Sequence, residues 1–351
     1  MQIIRYFLFP LSFIYGFITW VRNKMYDFGV LKSYTFDIPV ISVGNLEVGG
    51  SGKTPATEYL VKLLENKFSL ATLSRGYGRI TSGFRWVDAS DNASLCGDEP
   101  LQIKLNHPNV GVAVCEDRVK GVNRIKDTHD LVILDDAYQH RAINPGLSIL
   151  LFDFNRLNHP RFMLPTGNYR EFFGGRKRAD ILVVSKCPTT LTDTNKQLII
   201  KKLKPINHQK VIFSFIAYAD DLQPLTKGID KILASSITQK TAVLVLTGIA
   251  KPQLLLDKIK EITLNITHHN YPDHHNFTSK NILKLVNNFK ALKAEHKVII
   301  TTQKDAIRLI DGNFEQHLND LPIYYWQINM AFADNDKLIL EKTVANYVGK
   351  Y

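Results

Sequence analysis

Val43-Gly44-Asn45-Leu46-Glu47-Val48-Gly49-Gly50-Ser51-Gly52-Lys53-Thr54-Pro55 is the stretch on which the fold turns. An apolar run, Ile38-Pro39-Val40-Ile41-Ser42-Val43, leads into it and reads as a short buried strand. Ala56 to Asn66 follows, with Leu60, Val61, Leu63 and Leu64 at helical spacing. Strand, glycine-rich turn, Gly-Lys-Thr and helix form the setting of a phosphate-binding loop. Gly49, Gly50, Ser51 and Gly52 let the backbone curl and turn its N–H groups inward, and the helix N-terminus adds partial positive charge. Lys53 is placed to neutralise a nucleotide's outer phosphates, and the Thr54 hydroxyl to hold magnesium. The common pattern has glycine where this chain has Glu47. The competing reading, a glycine-rich turn with a chance Gly-Lys-Thr, is weakened by the strand before and the helix after.

The chain's 351 residues suffice for two domains of ordinary size. Hydrophobic residues make up 45% and charged ones 22%, which excludes a disordered chain. A net charge of +11 suits an acidic substrate, an anionic membrane surface or nucleic acid. Nucleic acid ranks last, because the basic residues are scattered and no nucleic-acid motif occurs. Cys96, Cys115 and Cys187 are odd in number and far apart, so neither a disulfide framework nor a zinc ribbon is expected, and a reducing cytosol is the simplest home.

Upstream, Met1 to Val21 is apolar and aromatic, with Arg5 its only charge, and Arg22 and Lys24 follow. A signal peptide lacks its small-residue cleavage site here. A bilayer span, an interfacial anchor and a buried core helix all remain open. A membrane-seated helix is the favoured reading, with the rest of the chain on the positive-inside, cytoplasmic face.

Downstream, Ser69 to Ser74 reads as a second strand running into Arg75-Gly76-Tyr77-Gly78-Arg79, where Arg75 is a candidate anion contact. Gly97-Asp98-Glu99-Pro100 opens a helix, so Asp98 and Glu99 are either helix-start carboxylates or a catalytic base and its neighbour. Val110 to Val114 is a strand that sends Arg118 towards the phosphates. Leu131 to Asp136 is an apolar strand ending in two aspartates, the arrangement that delivers a carboxylate, Asp135, to magnesium beside the loop. Asp136, Gln139 and His140 continue it as further site candidates. Strands at Leu147 to Phe152 and Asp180 to Ser185 flank the loop Pro165 to Glu171, and Gly174 to Arg178 adds three basic residues. Past a loosened stretch, Asp220 to Asp230, a second α/β pattern begins with Val243 to Pro252, Asp273-His274-His275 and Val298 to Asp305.

These alternations predict an α/β fold. Its parts are a P-loop NTPase-type, mostly parallel sheet flanked by helices, a second smaller α/β domain and an apolar N-terminal membrane-associated helix. The expected divisions are 1–27 (membrane helix), 28–220 (P-loop domain), 221–330 (second domain) and 331–351 (C-terminal helix).

Taken together, these motifs resemble the tetraacyldisaccharide 4'-kinase family over nearly the whole chain. The likeness rests on the apolar N-terminus, Gly44-Asn45 through Gly52-Lys53-Thr54-Pro55, Ser74 to Gly78, Gly97 to Pro100, and Asp135-Asp136 with Gln139-His140. It extends to Thr247 to Pro252, Asp273-His274 and Lys304-Asp305. Glu47 in place of glycine is itself a family trait, whereas Gln303 stands where the family usually has Glu. The resemblance implies a kinase at the inner face of the inner membrane that uses ATP and magnesium. The implied substrate is an acylated disaccharide phosphate lipid, a tetraacylated glucosamine disaccharide 1-phosphate phosphorylated at its 4' position. It also implies Asp98 as general base with His274 orienting it, and Asp273 as a support for His274. No obligate protein partner is implied.

Two other readings carry discriminators. A switching GTPase would have Asn-Lys-x-Asp after a late strand, and Val184 to Pro188 lacks both Asn and Asp. Alternatively His268, His269, His274 and His275 with Asp273 would form a metal site, although no fixed ligand spacing is present.

Overall fold

The computed structural model describes residues 7–351 apart from 227, 313 and 320. Thirteen strands form one sheet: β1 Val40–Asn45, β2 Leu70–Ser74, β3 Arg85–Trp86, β4 Gly111–Val114, β5 Leu131–Asp135, β6 Leu147–Asp153, β7 Ile181–Ser185, β8 Lys210–Pro224, β9 Ile232–Leu233, β10 Thr241–Thr247, β11 Ile266–Asn270, β12 His296–Thr302 and β13 Ile323–Phe332. Their spatial order is β11-β10-β12-β13-β8-β7-β6-β1-β5-β2-β4-β3, with β9 paired to β8. The pairings are parallel except for β8–β13, β8–β9 and β3–β4, which are antiparallel. The strands beside the loop are buried throughout, as a sheet covered on both faces requires.

Strand β8 runs into the first part, residues 220–224, of the stretch that the sequence reading treats as a loosened boundary. Residues 210–213 pair with β7, and Ser214 to Pro224 pair with β13. The backbone stays extended because a new partner strand takes over where the first one ends. The direction of β13 then reverses the second half-sheet relative to the first. Since β8 passes the end of β7 before meeting β13, the C-terminal ends of both half-sheets open onto one cleft, where ligands bind in such sheets. The C-terminal helix, Asp334–Val348, packs back on the first half: Leu340, Val344, Tyr347 and Val348 share a core with Ile41, Val43 and Leu60.

The N-terminal helix is Phe9–Asp27, and among the described residues no helix is long and apolar enough to cross a membrane. Arg22, Asn23, Lys24 and Asp27 make its last turns polar, and one side is tied to the body. Ser12 Oγ donates to Thr166 Oγ1 (2.8 Å), Arg22 to the Gln139 carbonyl (2.7 Å) and Asn23 to Glu171 (3.0 Å). At Gly16 a Cβ would come within 3.0 Å of Phe172, so this glycine serves close packing. Arg5 lies outside the described residues.

Candidate active site

The loop folds as its glycines require. Gly49 and Gly52 have φ of +97° and +86°, a region that side-chain-bearing residues avoid, and Gly52 caps the helix Lys53–Leu64. Asn45 Nδ2 donates to Ser51 Oγ (2.7 Å), and Ser185 Oγ at the end of β7 donates to the Ser51 carbonyl (2.6 Å). Both bonds fix the loop's curl before any ligand arrives. Lys186 also caps the Gly50 carbonyl, so Gly50 and Ser51 are held from the neighbouring strand end.

Strand β5 delivers Asp135 beside this loop, 1% exposed, where it accepts from Thr57 Oγ1 (3.1 Å). Burial, with the charges of Glu99 and Asp136, pushes its carboxyl up to about 7 despite Lys53. A hard divalent cation would relieve that crowding of carboxylates, and the oxygen donors Thr54 and Asp135 suit magnesium, which binds through one or two protein ligands and phosphates. Asp136 follows in a left-handed conformation (φ +46°). The Arg170 guanidinium grips both its oxygens (2.7 and 3.1 Å), and Lys53 Nζ lies 3.8 Å away. Burial works against ionisation of Asp136, but Lys53 and Arg170 outweigh it and lower its pKa.

On the loop's own half, helix Asp98–Asn106 starts on Gly97 (φ +96°) and presents Asp98, 7% exposed. Oδ2 of Asp98 lies 3.4 Å from His274 Nδ1 and is bonded by Arg308. Burial alone would raise the Asp98 pKa, but His274, Lys304 and Arg308 together hold it well below the usual carboxylate range. His274, itself in a left-handed conformation (φ +57°), is raised above its ordinary value, mainly by the Asp98 contact. Asp273 approaches the other ring nitrogen at 4.0 Å. Glu99, paired with Lys304, also feels Lys53 and Asp135, and so bridges the field of the Asp98 group to that of the loop.

A basic group lies on the third side. Arg118 is 4% exposed with its Nε unpartnered, and His140 Nε2 is likewise buried without a partner. Burial, then the charges of Arg118, Arg22 and Arg75, push His140 down to about 4. Gln139 Nε2 donates to the Asn45 carbonyl (2.7 Å). The other histidines diverge: His268 bonds Thr247, His269 bonds Asn288 and His275 bonds Asn281. Among the described residues no three metal-ligating side chains converge, and the histidine metal reading is set aside. Arg170 and Arg308 were not singled out from sequence. Arg170 sits in a loop with no motif, and Arg308 is marked only by its place three residues after Asp305 on a helix face.

The sequence model of the tetraacyldisaccharide-1-P 4'-kinase family matches residues 4–345. The chain belongs to this family. Members that carry the name tetraacyldisaccharide 4'-kinase include those of Flavobacterium psychrophilum, 41% identical with 99% of this chain and 98% of that one covered, and Flavobacterium johnsoniae, 42% identical with 94% of each covered. The Bacteroides thetaiotaomicron member is 41% identical, with 98% of this chain and 93% of that one covered. A crystal structure of the family member LpxK from Aquifex aeolicus in complex with ATP superposes with a TM-score of 0.74 at 27% identity, covering 98% of this chain and 99% of that one. The family thus has this α/β architecture, with a large, mostly parallel sheet.

Proposed function

We propose that this cleft transfers the γ-phosphate of ATP to the 4' hydroxyl of a tetraacylated glucosamine disaccharide 1-phosphate. Family membership makes the chain an ATP-dependent kinase of lipid A biosynthesis. The observation that carries the site reading is the Asp98–His274 contact at 3.4 Å, made between residues far apart in sequence and opening onto the same cleft as the loop.

Lys53 and the loop amides of Gly49 to Lys53 bind the outer phosphates and neutralise charge as it builds on the transferred group. Thr54 and Asp135 would hold magnesium, which would supply further charge neutralisation. Asp98 takes the proton from the 4' hydroxyl as its oxygen attacks phosphorus, and ADP leaves with the electron pair of the broken P–O bond. His274 orients Asp98, and Asp273 steadies His274. Asp136 holds Lys53 and Arg170 in place, with Gln139 bracing Asn45. Arg75, Arg118 and His140 face the substrate's anionic groups, and Glu99 sets the field between Asp98 and Asp135.

The two half-sheets, joined by β8 and β13, form the units that close on the ligands, with residues up to about 220 in one and 221–330 in the other. The exposed Phe13, Phe17, Ile18 and Trp20 of the N-terminal helix support seating at the cytoplasmic face of the inner membrane, beside the acylated substrate. No protein partner is required by this reading. A transfer assay with labelled ATP and the lipid disaccharide tests it: Asp98→Asn is expected to lose turnover about 100-fold or more. Wild-type rates in that variant would remove Asp98 from the chemistry.

A further inference from the structure

Arg308 sits on the helix Gln303–Asp311 of the second half, 9% exposed, and its guanidinium makes directed contacts. Nη1 donates to the Gly248 carbonyl (2.9 Å) and to Asp305 Oδ1 (3.0 Å). Nη2 reaches Asp98 Oδ2 and lies 3.1 Å from His274 Nδ1. Its supports are themselves locked. Asp305 Oδ2 accepts from the Gly248 amide (3.0 Å) and from Thr302 Oγ1 (2.8 Å), and the His274 amide donates to the same Gly248 carbonyl (3.0 Å). One rigid knot at the C-terminal ends of β10 and β12 therefore ends on a single oxygen of the first half.

We propose that Arg308 is the positioning residue for the proton-accepting carboxylate. It delivers the geometry of the second half to Asp98, so that Asp98 is aligned only when the cleft is shut. The inference rests on Asp98 being the base. A planar fork suits the task because it fixes Asp98 and the Gly248 turn at once, which a point charge cannot do. The contact of Arg308 with His274 also decides how that ring sits: whichever tautomer it adopts, Nδ1 stays within reach of both Arg308 and Asp98.

The charges facing Asp98 are few. Arg308, Lys304 and the more distant Asp311 come from one helix, His274 from the turn beyond β11, and Glu99 from Asp98's own helix. Removing Arg308 leaves a buried carboxylate with less compensation, so its titration moves upward.

The test compares Arg308→Met, Arg308→Lys and Asp98→Asn with the double variant carrying R308M and D98N, using lipid and ATP at saturation. R308M is expected to lower kcat about 100-fold with KM for ATP little changed, since a misplacement of this size acts on the chemical step. Its acid limb shifts to higher pH, R308K moves that limb back while regaining little of kcat because its point charge lacks the fork, and the double variant is no slower than D98N. Multiplying effects in the double variant, an unmoved acid limb, or full recovery of kcat by Lys would each overturn the proposal. If R308M fails to fold, Arg308→Gln runs the same cycle, because it keeps a donor while shedding the charge. Full activity in D98N would instead sink the base assignment itself, and is read separately.

Discussion

Gln303 and Asn106 exchange two side-chain hydrogen bonds across the cleft, Gln303 Nε2 donating at 2.6 Å and Asn106 Nδ2 donating back at 3.3 Å. Asn106 also donates to Glu58 on the loop's own helix (2.6 Å), and Gln327 of β13 donates to Asn106 (3.3 Å). These amides join the helix behind the phosphate loop to the second half-sheet. Burial pushes the Glu58 carboxyl upward, so the cluster cannot readily take another negative charge. Gln303→Ala is expected to cost about 1 kcal/mol in thermal unfolding, and Gln303→Glu to cost more. A Gln303→Glu variant as stable as wild type would show that the amide exchange does not hold the halves together.

Lys53→Ala removes the cation that lies 3.8 Å from Asp136 and is proposed to face the transferred phosphate. kcat/KM should fall about 10²- to 10³-fold, the usual loss for one preorganised charge partner in a transition state. Melting should change little, since Asp136 keeps its Arg170 fork. A modest loss in turnover would move the phosphate site away from the loop.

The His274 pKa is raised by Asp98, so the protonated ring is the form the fold favours. That contribution is complete below the ring's ordinary value near 6.5 and is lost as pH rises through the raised one. The melting difference between wild type and His274→Gln is therefore expected to be largest below about pH 6 and to shrink as pH rises through the raised value. A difference that grows with pH would mean that Asp98 is not the partner.

Tyr347 in the C-terminal helix accepts from the Val40 amide (2.9 Å) and donates to its carbonyl (3.2 Å), at the start of the strand that leads into the loop. Tyr347→Phe leaves both backbone groups without this partner and should cost about 1–3 kcal/mol, with kcat unchanged. A Gly146→Ala change should disturb the same contact, because its Cβ would fall 2.3 Å from the Tyr347 hydroxyl.

Phe13 and Phe17 lie on the exposed side of the N-terminal helix. Changing both to Ser should weaken co-sedimentation with anionic vesicles, while the body's melting temperature stays near wild type. Equal sedimentation of both proteins would remove the membrane seat from this helix.

The phosphate loop and its neighbouring carboxylate were legible from the chain alone because their chemistry is local. Gly49 to Thr54 need only a strand before them and a helix after them. Asp135 needs only an apolar strand whose last residue emerges beside that loop. The family likeness, too, was carried by short contiguous motifs. The strand β8 was missed because its extension past Phe213 is stabilised by β13, about a hundred residues later, and an isolated stretch gives no sign of a distant edge. Arg170 and Arg308 were missed for the same reason. Arg170 reaches Asp136 only once the loop between β6 and β7 folds onto the end of β5, and Arg308 reaches Asp98 only after the sheet reverses direction at β8 and β13. Short-range steric and periodic preferences therefore wrote the phosphate loop and its carboxylate into the sequence, while the meeting of the two halves depended on pairing between strands that no local preference specifies.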